Sequence, residues 1–484
     1  MDRRRFLLGS AVGTAALASG LGLGACSQPA AVAGSSGAGL VTLDPVIEEL
    51  QERSFRWFWD TTNAANGMTP DRWPTPSFAS IAAIGDALAC WPIGVERGWI
   101  TREQARERTL TTIRFLHDLK QGPEPTGTGG YKGFFYHFID MNTGHRYGQT
   151  ELSSVDTALL MGGMMFAARW FDQDHADEAE IRRLTQVIYE RIEWPWLEAR
   201  PNRISMGWHP ESGIIEADWN VYNEGMIVLI MAMGSPTHPV SKGVWDEWCS
   251  VYDQSFTDRW GPKHLHFGPM FGHQYSHMFI DFRGIQDEWM RDQSGIPGFD
   301  YFENSKRAVL AQQKYGVDNP KGWDGYSGDI WGFTACDGPG DFKQVINGRE
   351  REFFSYSARG PGEREDGTIA PTAAAGSICF EPEIVTNCIK AIKAQYGEHL
   401  YGQYGFLDSF NLTLKETENR LLHGKIVPGV GWFNGDYIGI DQGPIVIMTE
   451  NLRSNIIWNR MHAEPNIVRG LKVAGFTGGW LDQA

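Results

Sequence analysis

Apolar residues recur three and four positions apart along most of this chain, and this periodicity constrains the fold more than any other feature. The ten stretches with helical spacing are 43–61, 78–97, 101–119, 153–172, 177–193, 220–233, 242–257, 284–314, 382–396 and 443–461. Asp44 precedes the first stretch, Thr101 begins a capping pattern before the third, and Ser153 precedes the fourth. Alternating patterns typical of strands are few and short. The sequence therefore predicts an all-α fold.

Long segments rich in Gly, Trp, His and Asp separate the predicted helices: 121–150, 200–219, 260–283, 318–380 and 423–442. Helices joined by such segments are typical of helical hairpins arranged in a ring, where the ends of the inner helices and their loops form a cleft. An irregular helical domain without a closed ring is the alternative. We expect an (α/α)6 toroid. Because neither a linker nor a shift in composition follows the N-terminal region, residues 43–484 are predicted to form one domain.

The N-terminal region predicts export and lipid anchoring. Residues 1–25 combine an Arg-Arg-x-Phe-Leu core beginning at Arg3 with a weakly apolar stretch, which resembles a twin-arginine signal. The Leu-Gly-Ala-Cys sequence that ends at Cys26 resembles a bacterial lipobox, with Cys26 as the acylated residue. Residues 26–42 are small and flexible and form the predicted tether. The stretch is too rich in Gly, Ala and Ser for a membrane-spanning helix. We expect the protein in the periplasm or at the outer membrane.

Charge and aromatic content narrow the class of partner. The formal net charge of −16 argues against a nucleic-acid partner, because binding phosphates requires clustered Lys and Arg. The chain holds 19 Trp, 15 Tyr and 26 Phe. Aromatic faces stack on the apolar faces of sugar rings, although large cores also use aromatic residues. An acidic, exported, Trp-rich chain therefore suggests a polysaccharide or oligosaccharide partner.

Four places combine a carboxylate with aromatic residues or with a helix start, as glycoside hydrolysis by two carboxyl groups requires. Glu151 and Asp156 lie at the predicted start of a helix. Glu224 lies between aromatic and amide residues before an apolar helix, Asp408 lies among apolar residues, and Asp441 lies in a turn that opens the last long helix. Each has a structural alternative, since acids in a first helical turn interact with the helix dipole and an Asp in a Gly/Pro turn is often structural.

A metal site is a weaker interpretation. His273 and His277 are four residues apart and could share a helix face, as zinc ligands do. The Glu of the metalloprotease motif is absent and no Cys pair complements them. Hydrogen bonds from the imidazoles to sugar hydroxyls or to neighbouring loops explain the pair equally well. We expect neither a metal nor a cofactor.

Six ordered blocks resemble bacterial proteins of the "glucoamylase family", which include the β-1,2-glucanases of glycoside hydrolase family 144 and a domain of cyclic β-1,2-glucan synthases. The resemblance spans about residues 45–475, and its blocks are 151–160, 233–239, 273–283, 331–339, 367–372 and 440–444. It implies an (α/α)6 barrel, cleavage of β-1,2-linked glucose with inversion, and no metal. By this resemblance Glu224 is the general acid and Asp408 the base, with Asp156 as the competing base.

The resemblance and the surrounding residues also predict which side chains bind substrate: Glu151, Tyr136, His137, Trp219, Tyr222, His273, Gln274, Asp281, Trp331, Asp337, Asp441 and Gln442. The function predicted from the sequence is an inverting β-glucan hydrolase, with β-1,2-glucan as the substrate. The alternatives are an exo-acting enzyme that releases a disaccharide, a glycosyltransfer enzyme of the same fold, and a non-catalytic glucan-binding lipoprotein.

Overall fold

The computed structural model of the chain is about 45% helical, and it describes residues 40–484. The predicted signal (1–25), the acylation site Cys26 and most of the predicted tether (26–42) lie outside the described residues and stay predictions. From residue 40 onwards, no helix is long and apolar enough to span a lipid bilayer.

Fifteen α-helices follow one another along the described residues: α1 (Pro45–Thr61), α2 (Ile81–Glu96), α3 (Arg102–Asp118), α4 (Ser154–Trp170), α5 (Ala176–Glu190), α6 (Met226–Gly234), α7 (Gly243–Cys249), α8 (Tyr252–Ser255), α9 (Phe271–Phe279), α10 (Tyr301–Asp318), α11 (Pro371–Ala375), α12 (Pro382–Leu400), α13 (Gly439–Ser454), α14 (Ile456–Met461) and α15 (Pro465–Val473). A single π-helical turn covers Trp289–Gln293, and short 3₁₀ turns cover Trp194–Leu197 and Gly479–Gln483. The mainly helical fold confirms the class predicted from periodicity.

The strands are short and lie in the loops between helices: β1 (Arg72–Trp73), β2 (Ala79–Ser80), β3 (Gly130–Tyr131), β4 (Phe134–Phe135), β5 (Phe138–Ile139), β6 (Leu152–Ser153), β7 (Gly207–His209), β8 (Gly213–Ile214), β9 (Phe256–Thr257), β10 (His264–Leu265), β11 (Ala335–Cys336), β12 (Phe342–Ile346), β13 (Arg349–Phe353), β14 (Ser357–Ala358), β15 (Thr368–Ile369), β16 (Tyr401–Gly402), β17 (Gly405–Phe406), β18 (Phe410–Asn411), β19 (Lys425–Val427), β20 (Gly431–Phe433) and β21 (Tyr437–Ile438). All the pairings are antiparallel, and the largest sheet has the order β15-β18-β20-β19.

Local capping explains where several helices begin. The Asp44 side chain accepts a hydrogen bond from the Val46 amide at the start of α1, and a proline occupies its first position. Thr101 and Gln104 form a complete capping box before α3. The Ser153 side chain caps α4 by accepting from the Asp156 amide. The capping residues predicted from the sequence are therefore confirmed at these three helices.

Two kinds of helix build the core. α2, α4, α6, α9, α11 and α13 are buried almost along their whole length, whereas α1, α3, α5, α10 and α12 bury one face and expose the other. Gly85 of α2 and Gly163 of α4 face each other so closely that a Cβ on Gly163 would collide with the Gly85 carbonyl. Small residues at this crossing allow the two buried helices to pack backbone to backbone. This closely packed apolar interior supports the helix ends at which the site residues lie.

Some predicted boundaries are wrong. The stretch 284–314 is not one helix, since Gly295 and Gly298 adopt positive φ and α10 begins only at Tyr301, capped by Asp300. The segment 260–283, predicted as a loop, contains α9. The stretch 443–461 begins earlier, at Gly439, and is divided at Asn455, whose φ is 56°. In each case the apolar periodicity is correct, and a left-handed residue or a short buried helix changes the boundary.

Candidate active site

A cleft with an empty volume of about 600 Å³ opens where several helix starts and loops meet. The residues that line it are His137, Val155, Asp156, Leu159, Trp219, Glu224, Phe271, Tyr275, Ala335, Tyr356, Ala358 and Ile440. They come from the first two turns of α4 and α9, the first turn of α13, the segment before α6, the loop between β4 and β5, strand β11, and strand β14 with the residue before it. The lining combines two carboxylates and one imidazole with several aromatic rings, which is the composition of a small-molecule or sugar site.

Glu224 lies in the turn directly before α6 and is 5% exposed. Ser276 of α9 donates its hydroxyl to the Glu224 carbonyl at 3.1 Å, and the same hydroxyl accepts from the Ile227 amide at 3.2 Å. Asn223 accepts from the Gly225 amide at 2.8 Å. These bonds fix the backbone on both sides of Glu224, so that the carboxyl group has a defined position at the cleft.

Trp219 supports Glu224 from one side. A Cβ on Gly225 would collide with the Trp219 ring, so only glycine allows the turn and the indole to approach this closely. The indole N–H donates to Ser154 Oγ at 2.8 Å, and Ser154 in turn donates to the carbonyls of Ser205 and Met206 at 3.0 Å each. The start of α4 and the turn before α6 are therefore joined through one tryptophan.

His137, Glu151 and Asp156 form a group that we name the His137 cluster. The His137 Nδ1 is 2.9 Å from Glu151 Oε1, and its Nε2 is 3.6 Å from Asp156 Oδ1. The Asp156 amide donates to Ser153 Oγ at 3.1 Å, and the Ser153 hydroxyl also contacts the Asp156 carboxylate. Asp156 lies in the first turn of α4, where the helix dipole stabilises a negative charge. The cluster thus holds two carboxylates on either side of one imidazole, next to Glu224 in the cleft.

Arg72, Asp337, Asp408, Asn434 and Asp436 form a second group, the Arg72 cluster. The guanidinium Nη1 lies 2.8 Å from Asp337 Oδ2 and 3.5 Å from Asp436 Oδ2. Asp408 Oδ2 accepts from the Asp337 amide at 2.7 Å and from Asn434 Nδ2 at 3.3 Å. Asp337 and Asp408 are fully buried. The cluster places three aspartates around one cation and one amide.

Burial and neighbouring charges act on this second cluster in opposite directions. Removal from water raises the pKa of Asp408 well above the usual range of an aspartate, and Asp441 and Asp337 raise it further. Burial by itself would lower the pKa of Arg72, but Asp337 and Asp71 hold it above its ordinary value. Asp408 therefore binds a proton more readily than an ordinary aspartate, while Arg72 stays positively charged.

The structure places four of the predicted substrate-binding residues in the core. Tyr222 stacks on Tyr301 with 5.9 Å between ring centroids, and His273 hydrogen-bonds to the Phe267 carbonyl at 3.2 Å. Tyr136 and Trp331 are also fully buried. None of these four belongs to the residues that line the described cleft. Burial lowers the pKa of His273 well below its usual range, so this imidazole is neutral.

Three further predicted residues join elements of the scaffold. Gln274 donates to the Ala373 carbonyl at 2.7 Å and so connects α9 with α11. Gln442 accepts from Ser54 at 2.7 Å, which connects α13 with α1. Asp281 forms a two-point pair with Arg283 at 2.7 and 2.8 Å, and its Oδ2 lies 3.2 Å from Nε2 of His462, which connects the segment after α9 with the end of α14. Asp441 lies next to the cleft residue Ile440, in the first turn of α13.

The positions of possible metal ligands are also defined. His273 and His277 both contact the hydroxyl of Ser305, at 3.5 and 3.1 Å, inside the core. Among the residues that the structure describes, one group of three possible ligands lies within 4.8 Å: Asp337, His423 and Asp436. Arg72 Nη1 lies against all three, 3.5 Å from His423 Nδ1. A guanidinium cation already compensates the negative charge that would attract a metal.

Sequence reasoning missed Arg72, Asn434 and Asp436. Arg72 and Asp337 are 265 positions apart in the chain, so no local pattern could pair them. Asn434 and Asp436 do have a local signal, since they lie in the polar Asn-Gly-Asp segment between β20 and β21, seven and five residues before Asp441.

Comparison with known proteins gives the family. The family model described as "Putative glucoamylase" matches residues 216–465, more than half of the chain. The chain belongs to this family. Within the glucoamylase family, a solved structure from Bacteroides uniformis with the same description is 30% identical, with a TM-score of 0.76, and the match covers 92% of this chain and 100% of that one.

Two further relatives carry the name of an activity. An endo-β-1,2-glucanase from Chitinophaga pinensis, solved with sophorotriose and glucose, is 26% identical with a TM-score of 0.74, over 91% of this chain and 100% of that one. A curated exo-β-1,2-glucooligosaccharide sophorohydrolase from Parabacteroides distasonis is 26% identical over 465 residues, 89% of this chain. The chain spans 58% of the length of that curated relative.

Proposed function

We propose that this chain is a glycoside hydrolase that cleaves β-1,2-linked glucan with inversion. The observation that carries the proposal is the single cleft in which Glu224 and Asp156 lie beside His137 and Trp219. Two carboxyl groups and an aromatic platform are what glycoside hydrolysis requires. The β-1,2 linkage rests on the names of the relatives from Chitinophaga pinensis and Parabacteroides distasonis.

In the proposed reaction, protonated Glu224 gives its proton to the glycosidic oxygen, directly or through a sugar hydroxyl, as the bond from this oxygen to the anomeric carbon breaks. A water attacks the anomeric carbon from the opposite face, and its proton goes to the base, for which we propose Asp408. The raised pKa of Asp408 supports this role, because a stronger base takes the proton more readily. Asp156 competes for the role, since it lines the cleft itself, whereas Asp408 is fully buried and is not among the residues that line the cleft.

We also propose that the scaffold is the closed (α/α)6 ring, formed by residues 43–484 as a single domain. Six helices are buried almost completely, and they pack in the order α2–α4–α6–α9 and α11–α13–α2, with α9 also against α13. α3 and α5 cover α2 and α4 from outside, while α12 covers α11 and α1 packs on α13. A crystal structure in which the six buried helices do not enclose a common axis would contradict this arrangement.

Exo action is a second candidate, favoured by the curated relative from Parabacteroides distasonis, whose name specifies release of sophorose from the non-reducing end. The two modes differ in their first products. An endo enzyme produces a broad range of oligosaccharide lengths from a long glucan, whereas an exo enzyme accumulates disaccharide from the start. Chromatography of the products in the first minutes separates the two modes.

The decisive experiment replaces Glu224 by glutamine in the full chain. Glu224→Gln keeps the shape of the side chain but cannot deliver a proton, so kcat on linear β-1,2-glucan should fall by about 10²–10⁴. KM should change little, because the amide still fills its place. The loss should be smaller on a substrate with a good leaving group, since that group needs less protonation. For the wild type, NMR of the product in the first minutes should show the anomer whose configuration is inverted relative to the substrate.

Glu216→Gln is the matched control, because it makes the same change at an exposed glutamate a few residues away. It should leave kcat unchanged. If Glu224→Gln keeps the activity of the wild type, the catalytic interpretation is wrong. If the wild type cleaves β-1,3- or α-1,4-glucan and not β-1,2-glucan, the hydrolase proposal stands and the linkage is wrong.

We further propose that the protein is exported and anchored by a lipid on Cys26, on the basis of the signal and lipobox patterns in residues 1–26. Cys26→Ala should release the protein from the membrane fraction and leave its glucanase activity unchanged. Unchanged fractionation with membranes would contradict the anchor.

A further inference from the structure

Two aromatic side chains are exposed among the described residues, one in the short strand β1 and one in the loop after β5. Trp73 is 43% exposed and Tyr147 is 47% exposed. The other aromatic residues from residue 40 onwards are buried or half-buried. Single exposed apolar residues need no explanation on their own. The position and rigidity of these two are what point to a ligand.

Tyr147 is connected to the cleft through a continuous series of rings. The centroids of the Tyr147 and Phe78 rings are 4.7 Å apart, Phe78 is 4.2 Å from Phe138, and Phe138 stacks on His137 at 3.8 Å. His137 lines the cleft. The exposed face of Tyr147 therefore continues the wall of the cleft outwards to the surface.

The segment 72–78 carries Trp73 and Phe78 and joins the two carboxylate clusters. At its start, Arg72 pairs with Asp337 at 2.8 Å, and at its end Phe78 packs on Phe138, next to His137. The Thr75 amide donates to Asp436 at 3.0 Å, and the Asp71 amide donates to the Phe78 carbonyl at 2.8 Å. Trp73 is therefore presented by a segment that is held at both ends.

The Tyr147 loop is equally fixed. The Tyr147 amide donates to the Phe138 carbonyl at 3.0 Å. The neighbouring Arg146 side chain is buried and donates to the Thr150 carbonyl at 2.7 Å and to Glu211 at 2.6 Å. Rings that are rigid before binding lose little conformational entropy when a ligand stacks on them. A rigid, exposed aromatic face beside a sugar cleft is suited to the apolar face of a pyranose ring.

We infer that Trp73, Phe78 and Tyr147 form an aromatic rim that binds glucosyl units of a long glucan chain beyond those held at the cleavage site. The inference rests on the proposed function, since it takes the ligand to be a β-linked glucan. The aromatic rim lies outside the carboxylates that perform the chemistry, so it contributes to the binding of long chains and not to the bond-breaking step.

The test measures hydrolysis of β-1,2-gluco-oligosaccharides of increasing length by the full chain and its variants. Trp73→Ala and Tyr147→Ala should each lower kcat/KM on long oligosaccharides about fivefold through KM, which is the loss of one aromatic contact. Neither should change kcat/KM on the shortest oligosaccharide that the wild type cleaves. Trp73→Phe and Tyr147→Phe keep a ring and should restore most of the loss. Val473→Ala, at an exposed position in α15, serves as the control for an unrelated surface change.

The outcomes separate this inference from the proposed function. If the alanine variants have the kcat/KM of the wild type at every oligosaccharide length, the aromatic rim is wrong and the proposed hydrolase function is unaffected. The same conclusion follows if kcat/KM falls equally at every length. If the wild type cleaves no β-glucan, the proposed function fails, and calorimetric titration with long and short β-1,2-glucan then tests the rim. Weaker binding of long chains by the alanine variants would support it, whereas no binding by the wild type would overturn it.

Discussion

The His137 cluster and the Arg72 cluster are both built on carboxylate side chains, but the surroundings of these side chains differ. In the first, one imidazole lies between Glu151 and Asp156, and the start of α4 stabilises the negative charge. In the second, a guanidinium contacts Asp337 and Asp436 directly, while Asp408 accepts hydrogen bonds from the Asp337 amide and from Asn434. His137 and Asp156 of the first cluster line the cleft, whereas Asp337 and Asp408 of the second are fully buried.

The difference shows how position decides what a carboxyl group does. An aspartate at a helix start is stabilised as an anion, which suits a residue that binds hydroxyls. Burial, Asp441 and Asp337 raise the pKa of Asp408, which suits a residue that must accept a proton. We therefore assign the base to the Arg72 cluster and substrate binding to the His137 cluster.

The largest effect expected is at Asp408. Asp408→Asn removes the base and should lower kcat by about 10²–10⁴. A better leaving group should not restore the activity, because the partner of Asp408 is water. Asp156→Asn should raise KM more than it lowers kcat. Asp174→Asn, at an exposed position in the turn before α5, is the matched control and should change neither parameter.

The pH profile of kcat/KM tests the same assignment. The base is active when deprotonated, so activity is lost as the pH falls through its pKa. Because the pKa of Asp408 is raised, this loss should begin at a higher pH than for an ordinary aspartate, whose pKa is about 3.9. If Asp408→Asn keeps near-normal turnover while Asp156→Asn is inactive, the base belongs to the His137 cluster and the roles are reversed.

A smaller effect is expected from Arg72→Gln, which leaves Asp337 and Asp436 without their cation. Removing one partner of a buried ion pair costs about 3–5 kcal/mol in the free energy of unfolding. Arg72 also lowers the pKa of Asp408, so the acid limb of kcat/KM should move to higher pH in this variant. Denaturant unfolding and the pH profile measure the two effects.

Arg56→Gln is the control for Arg72→Gln. Arg56 pairs with Glu52 at 3.2 Å on the surface of α1, where both side chains are more than a third exposed. Its loss should change the free energy of unfolding by about 0.5 kcal/mol or less. An Arg72→Gln protein as stable as this control, with an unmoved acid limb, would show that the Arg72 cluster is not an electrostatic unit.

The sequence predicts the framework of this molecule better than its site. Helix periodicity and capping patterns are local, and they place α1, α3 and α4 correctly. The short buried α9 was missed, because its histidines and glycine resemble a polar loop. Local patterns cannot show on which side of an element a residue lies. Tyr222, two positions before Glu224, therefore points into the core although its neighbour faces the cleft.

Long-range pairing accounts for contacts that local patterns cannot show. The pair of Arg72 and Asp337 depends on the whole fold, because 265 positions separate its members. The same holds for Gln442, which accepts a hydrogen bond from Ser54, 388 positions away, while its role in binding sugar stays a prediction. By contrast, His137 and Glu151 are only 14 positions apart, and both were predicted from one aromatic loop and the helix that follows it.

Chelation of metal ions is expected to leave the activity unchanged. Two of the three possible metal ligands, Asp337 and Asp436, belong to the Arg72 cluster, and the third is the neighbouring His423. Among the residues that the structure describes, the His137 cluster is not part of such a group. Because Arg72 Nη1 lies against all three side chains, a divalent cation would have to displace a guanidinium that is already paired there. Prolonged treatment with EDTA should therefore leave kcat/KM on β-1,2-glucan unchanged. Activity that is lost with EDTA and restored by zinc or calcium would show that a metal, and not Arg72, compensates these carboxylates.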